Sequence, residues 1–347
     1  MIAVDRDPRA PGFRYADRRA IVSVEDEPAL ERLAEAGHVD GVIGSGDLPV
    51  AVAARIAARL GLPHPVSPET GLLSSSRLRR RERFARADVP QTRWKLVAAP
   101  DDELDVPCTV TPADRQGRRL LSLVSRHDEL APAVQAALRE SRSGLCLIEE
   151  AVAMPEVTVT AFSLRGVFRA LTVVDRLPSA CVWPSRSENA SIAVAELAAR
   201  AAALEEGPST TRVRPGPNGM QVVAWAARLG DTHEPELTEA ALGIDLNGLA
   251  LAAALGEEID PARLEAPKRA GGACVRFLDR PTYEHYELDG IAEAENVEGV
   301  EWVRIYAAAE QAGAVLATGA SAAQALERAT RAAECIRFRT ADAEALA

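Results

Sequence analysis

Apolar and polar positions alternate along this chain in blocks that switch between strand and helix periods. Residues 2–5 and 20–24 are short apolar runs of strand length. Asp26 precedes a helical pattern over 28–36 that stops at Gly37, a start-and-stop pair typical of a capped helix. Residues 40–44 predict a third strand, and 49–60 a helix ended by Gly61 and Pro63. Strands alternating with amphipathic helices predict a parallel α/β layer. The proline- and serine-rich stretch 63–76 reads as a linker, and 77–87 as a basic helix.

Strands are predicted at 93–98, 107–111 and 120–124, followed by a helix over 129–139. The apolar run 145–150 is the clearest buried strand, and a turn at Met154-Pro155 leads into strands over 156–160 and 167–174. A helix over 193–204 precedes two strands, 209–214 and 220–226, around Pro215-Gly-Pro-Asn-Gly219. That pairing predicts a hairpin, because Asn-Gly suits the positive φ of a tight turn. His233-Glu-Pro-Glu236 reads as a helix start with acids near the positive end of its dipole. A helix over 246–255, a second linker over 261–269, strands at 273–277, 300–305 and 313–316, and a helix over 321–336 complete the reading.

Composition narrows the class. The 347 residues are 47% hydrophobic, yet no apolar run reaches the ~18 residues of a membrane span. The start lacks the basic and apolar regions of a signal peptide. Five cysteines lie far apart with no CxxC, which argues against a disulfide framework or a zinc ribbon and suits a reducing cytoplasm. A net charge of -11 argues against coating nucleic acid. Of the 40 basic residues only Lys95 and Lys268 are lysine, as a GC-rich coding sequence would give. Such a bias turns lysine into arginine but not into a neutral residue. The glycine fingerprints GxGxxG and GxxxxGK[ST] are both missing. The isolated histidines His38, His64, His127 and His285 have no triad-like companions nearby and read as surface residues.

Several segments, in order, resemble the ATP-grasp superfamily, in particular its carboxylate–amine ligases and biotin carboxylase relatives. They are Val4-Asp5-Arg-Asp-Pro8, Gly61-Leu-Pro63, Ala87-Asp-Val-Pro90, Ile148-Glu-Glu150 with Pro155-Glu156-Val-Thr-Val159, Ala226-Ala-Arg-Leu-Gly230, and Gly313 to Gly319. The resemblance implies an α/β (α+β) ATP-grasp fold: an N-terminal parallel α/β domain over 1–70, a two-part body over 71–262 and a C-terminal α/β segment over 263–347. Superfamily members place a further strand, a glycine loop and a helix ahead of the segment matched by 2–5. That strand is expected to be missing here, leaving 2–5 at an exposed edge open to pairing with another chain, and a start upstream of Met1 stays open.

The resemblance also implies chemistry. ATP lies between two subdomains, a carboxylate becomes an acyl phosphate, and an amine attacks it. Two magnesium ions and two lysines neutralise the phosphates. Here the first lysine position falls on Arg77 and the second on Thr111, and the covering loop 113–118 is glycine-poor. The three metal-ligand positions fall on Arg212, Ala224 and Ala226, while the superfamily's arginine is retained as Arg228. Glu149, Glu150 and Glu156 match hinge residues beside the nucleotide. The resemblance with these departures implies a ligand-binding or supporting subunit, a homodimer or a partner of an active ligase. On this reading ATP or a small carboxylate is a possible ligand, magnesium is not expected, and nucleic acid and membrane are not partners. The alternative is an active ATP-dependent carboxylate–amine ligase. Arg212 pairs with Glu205, Glu206 or Glu236, joins Arg77 and Arg228 in binding an anion, or acts with Arg228 as a catalytic residue.

Overall fold

The computed structural model describes residues 1–100, 106–114, 121–151, 155–265, 268–281, 286–306 and 311–340. Its first part holds strands β1 (Ile2–Asp5) and β2 (Arg18–Ile21) and helices α1 (Glu27–Gly37), α2 (Asp47–Leu60), α3 (Pro68–Ser75) and α4 (Arg77–Arg86). β1 and β2 pair in parallel as a two-stranded sheet. Val4 and Ile21 are exposed, and α1 buries no residue. The strand expected over 40–44 does not form. Residues 41–44 instead pass so close to the body that a Cβ on Gly41 would meet the Ala254 carbonyl oxygen at 2.5 Å.

The segment expected as a linker over 63–76 contains α3. Ser67 caps it by accepting from the Thr70 amide at 3.1 Å, and Pro68 occupies its first turn. Gly71 lets α3 lie against α2, since a Cβ there would stand 3.1 Å from the Ala51 Cα.

A small second sheet follows: β3 (Trp94–Val97), β4 (Cys108–Pro112), β5 (Ser122–Val124) and β6 (Cys146–Glu150), in the order β3-β6-β4-β5, with α5 (His127–Glu140) on one face. Val97, Val110, Val134 and Ile148 form its core. Met154 of the expected turn, residues 115–118 of the covering loop, and His285 lie outside the described residues.

The body is built on β7 (Glu156–Leu164), β8 (Val167–Leu177), β9 (Ala180–Trp183), α6 (Glu188–Ala201), β10 (Gly207–Gly216), β11 (Gly219–Ala226), α7 (Glu234–Leu242) and α8 (Leu246–Ala254). The chain ends with β12 (Gly272–Leu278), β13 (Tyr286–Asp289), α9 (Ile291–Glu295), β14 (Val300–Ile305), β15 (Gly313–Gly319), α10 (Ala322–Cys335) and β16 (Arg337–Thr340). Eight strands make one antiparallel sheet, β11-β10-β7-β8-β9-β12-β15-β14. β12 of the C-terminal stretch pairs directly with β9, so that stretch extends the body's sheet.

One face of this sheet packs on α7 and α8 through Phe162, Trp183, Leu237, Leu249 and Phe277. The other packs on α6 and α4 through Phe84, Val159, Val173, Val194 and Trp225. The expected hairpin forms as β10–β11, with Gly216 paired to Gly219 and only Pro217 and Asn218 between them, tighter than a five-residue turn. Gly219 takes φ 115°, a conformation that excludes most side chains. Among the described residues no single helix is long and apolar enough to cross a membrane.

Candidate functional site

The two sheets meet at the end of β6, where sequence places acids and α4 places arginines. Arg77 and Arg81 are four residues apart, so they share one helix face. That face meets Glu149: Arg81 Nε donates to its Oε1 at 2.7 Å and Arg77 Nη1 to its Oε2 at 3.3 Å. Arg81 also donates to the carbonyl oxygens of Val222 at 3.1 Å and Val223 at 2.7 Å, tying α4 to β11. Burial pushes the Glu149 carboxyl up, but Arg81 and Arg77 outweigh it and hold it below the usual range.

The basic helix expected over 77–87 is therefore partly inside. Arg80 is buried as well, donating at 2.8 Å to the Leu73 carbonyl at the end of α3, where a cation suits the dipole. Burial, helped by neighbouring Arg81, lowers its pKa to about 10.

Strand register aligns the next group. Arg212 on β10 stands opposite Ala224 on β11 and Thr158 on β7, and Thr210 stands opposite Ala226 and Thr160. Glu156 precedes Thr158 by two residues and so shares its face. Glu156 lies 3.6 Å from Arg212 and 3.8 Å from Arg176, and Arg176 lies 3.9 Å from the buried Glu234. Glu150 completes the row through Arg214 at 2.9 Å. Burial raises the Glu150 carboxyl, and Arg214 outweighs this and lowers it. Arg212 thus pairs with Glu156 from a neighbouring strand, and not with the expected Glu205, Glu206 or Glu236. Cross-strand partners cannot be read from sequence distance. Thr111 is buried on β4 opposite Leu147, on the sheet face that carries Glu149 and away from α5. Its Oγ1 has no hydrogen-bond partner.

Arg228 belongs to a different place. Its Nε donates to Asp47 Oδ1 at 2.5 Å, its Nη1 to the Leu229 carbonyl at 2.7 Å and its Nη2 to Asp231 Oδ2 at 3.3 Å. Burial lowers its pKa, and the Asp47 carboxylate more than reverses that. It lines a cavity of about 520 Å³ between the loop before α2 and the segment before α7. Arg212 and Arg77 do not line this cavity, so the three arginines expected around one anion divide between two sites. His64, expected at the surface, is half-buried in the cavity wall; burial lowers its pKa, against a bond to the Val66 backbone. His233 also lines it and is bonded to Tyr306.

The hairpin positions do not fit a magnesium site. Magnesium takes oxygen ligands in near-octahedral array, whereas Arg212, Ala224 and Ala226 offer a guanidinium and two methyl groups. The carboxylates brought to this hairpin face are engaged by arginines, Glu156 by Arg212 and Arg176 and Glu150 by Arg214. Among the described residues no three His, Cys, Asp or Glu side chains converge as cation ligands.

The sequence reading missed Arg81, Arg214, Arg176, Asp47 and Asp231. Arg81 alone carried a usable signal, its four-residue spacing from Arg77.

No family model matches the chain. A 130-residue stretch is 34% identical to the formate-dependent phosphoribosylglycinamide formyltransferase of Solidesulfovibrio magneticus, covering 32% of this chain and 30% of that one. Over 299 residues it is 25% identical to the uncharacterized protein y4rH of Sinorhizobium fredii, covering 79% of this chain and 60% of the relative. The chain thus spans less than two thirds of either curated relative. Among solved structures, the L-amino acid ligase of Bacillus licheniformis superposes with a TM-score of 0.81 at 17% identity, covering 94% of this chain and 88% of that one. The N5-carboxyaminoimidazole ribonucleotide synthetase of Thermotoga maritima gives 0.77 at 18% identity over 98% and 92%. The N5-carboxyaminoimidazole synthase of Aspergillus clavatus, solved with ADP and 5-aminoimidazole ribonucleotide, gives 0.75 at 14% over 96% and 90%. At these identities the likeness is one of architecture, and it agrees with the order of segments that resembled the superfamily: the chain has the ATP-grasp fold of the carboxylate–amine ligases.

Proposed function

We propose that this protein is a ligand-binding relative of the ATP-dependent carboxylate–amine ligases that holds a nucleotide or a small carboxylate through arginines rather than magnesium. On this reading it does not make an acyl phosphate by the two-metal route, and it acts as a supporting subunit. The observation that carries the reading is the register of the hairpin: Arg212 opposite Ala224, with Ala226 two residues on, and Glu156 engaged by Arg212 and Arg176. A divalent ion placed 4 Å from the Arg212 guanidinium would be repelled by about 8 kcal/mol at an effective dielectric near 20, before screening. Arg212 is 42% exposed, so solvent reduces that figure, but no surplus of negative charge replaces it. The ADP bound by the Aspergillus clavatus synthase supports a nucleotide as the first ligand to test.

Where the two sheets meet, Arg77, Arg212 and Arg214 would meet phosphate or carboxylate oxygens by exchanging part of their pairing with Glu149, Glu156 and Glu150. Arg77, at 38% exposure, and Arg212 are the accessible members. The test is ADP release from ATP with mixtures of carboxylates and amines. None is expected with or without magnesium. Arg212→Ala should weaken bound nucleotide by about 1.5–3 kcal/mol, the scale of one charge-assisted hydrogen bond. Magnesium-dependent ADP release that survives Arg212→Ala would restore the alternative, an active ligase, which the retained Arg228 beside a sizeable cavity favours. As a supporting subunit the protein should associate with itself or with an active ligase, a point that light scattering on the chain alone and with the ligase decides.

A further inference from the structure

β1 and β2 pair in parallel, in the register Ile2 with Arg18, Ala3 with Arg19, Val4 with Ala20 and Asp5 with Ile21. Partners in register share a face, and successive residues alternate between faces. Ile2, Val4, Arg18 and Ala20 therefore form one face, and Ala3, Asp5, Arg19 and Ile21 the other. The first is turned towards α1: a Cβ on Gly37, the last residue of that helix, would stand 2.8 Å from Ile2 Cδ1. The second is open. Ile21 is 59% exposed, and Asp5 and Arg19 beside it are exposed too. Neither strand contains a buried residue.

Parallel strands are ordinarily covered on both faces, and two strands alone are marginal in water. Met1, Val4, Tyr15 and Ile21 are all exposed large apolar side chains of this one segment. A further layer over the open face would bury Ile21 and Ala3.

The pattern of the face says which layer fits. Ala3 and Arg19 form one row, and Asp5 and Ile21 the next. The apolar pair thus lies on one diagonal and the charged pair on the other. A two-fold axis along the apolar diagonal brings a second copy down with Ile21 on its own mate and Ala3 on its own mate. Each Asp5 then lies over Arg19 of the partner subunit. The strands of the two copies cross near right angles, the orthogonal mode of sheet packing, and the contact is isologous, as a closed dimer requires. The charges are available for it. The Asp5 side chain accepts from the Asp7 amide at 2.8 Å, and Arg19 has no side-chain partner among the described residues. Asp17, which alternation puts on the same face, is held by the Met1 ammonium at 2.5 Å.

We propose that this open face of β1 and β2 is a dimer contact, closed by a second copy through Ile21 at the axis and two Asp5–Arg19 pairs around it. The proposal gives the self-association of the reading above a surface and rests on that branch alone. No residue of the arginine row that meets Glu149, Glu150 and Glu156 takes part, so nucleotide binding can fail while the dimer stands, or the reverse.

Charge exchange tests it on the full chain, by sedimentation equilibrium at low salt. The parent should dimerise with a dissociation constant below about 100 μM. Asp5→Arg and Arg19→Asp should each weaken the dimer by about tenfold or more, since the two-fold axis repeats every like-charge contact. Mixed one to one, those two variants should pair with each other at close to the parent's strength, because each contact then joins opposite charges. Ile21→Glu, which sets two carboxylates at the axis, should abolish the dimer. Recovery on mixing cannot come from misfolded chains, so it separates a lost contact from a lost structure. A parent that stays monomeric at about 200 μM, a dimer indifferent to both single exchanges, or no pairing on mixing would each overturn the assignment.

Discussion

Replacing Glu149 by glutamine removes the charge at the junction of the two sheets while keeping its shape. The native carboxylate is 8% exposed and receives Arg81 at 2.7 Å and Arg77 at 3.3 Å. Arg81 is itself only 3% exposed and donates otherwise to two backbone carbonyls and to Gln91. With glutamine in place, a buried guanidinium keeps polar partners but loses its counter-charge. Breaking a buried ion pair from one side costs about 3–5 kcal/mol. The retained amide oxygen offsets part of that, so the expected loss is about 2–4 kcal/mol. Urea unfolding followed by tryptophan fluorescence reads it, since Trp94 on β3 and Trp225 on β11 flank the junction.

The same pair sets a pH signature. The folded-state pKa of Glu149 is depressed, so its contribution is present above the ordinary carboxylate value near 4.3 and is lost as pH falls through the lower folded value. The parent and Glu149→Gln should therefore differ fully at pH 6–7 and converge as pH drops below about 4. A loss under 1 kcal/mol at pH 7, or a gap unchanged down to pH 3, would refute the reasoning.

Other outcomes follow from the same geometry. Phe84→Ala empties a fully buried ring packed edge-on against Trp225 at 6.3 Å and should cost about 3–5 kcal/mol in urea unfolding. Glu150→Gln should cost about 1 kcal/mol or less, because its carboxylate is 30% exposed, and the contrast with Glu149→Gln is read in the same denaturation series. Gly219→Val places a β-branched residue at φ 115° and should lower stability by more than 1 kcal/mol, measured by thermal melting, whereas Asn218→Asp should change little.

Much of the architecture was legible because it rests on local signals. The hairpin announced itself through Asn218-Gly219, α10 through its apolar period after Ser321, and β6 through an unbroken apolar run. What failed depends on tertiary surroundings. Residues 41–44 have strand composition but are held against Ala254 by close backbone approach, and α3 hides in a segment whose prolines and serines serve as its caps. The site divides the same way. The turn sets Val213 opposite Val222, and a register shift between Arg212 and Val213 then brings Arg212 opposite Ala224 instead of Val223, so the identities of Arg212, Ala224 and Ala226 could be read from sequence but not that last pairing. The pairing of Arg212 with Glu156, the burial of Arg81 and the closure of Arg228 by Asp47 join residues 56, 68 and 181 positions apart, and no local pattern encodes them.

The central proposal is that arginines where the two sheets meet, rather than magnesium, neutralise the charge of a bound nucleotide or carboxylate. Calorimetric titration of ATP and ADP into the protein, with EDTA and then with 5 mM magnesium, tests it most directly. The account predicts dissociation constants that agree within about twofold in the two conditions, and weaker binding in both for Arg212→Ala. Tightening by tenfold or more on adding magnesium would contradict it.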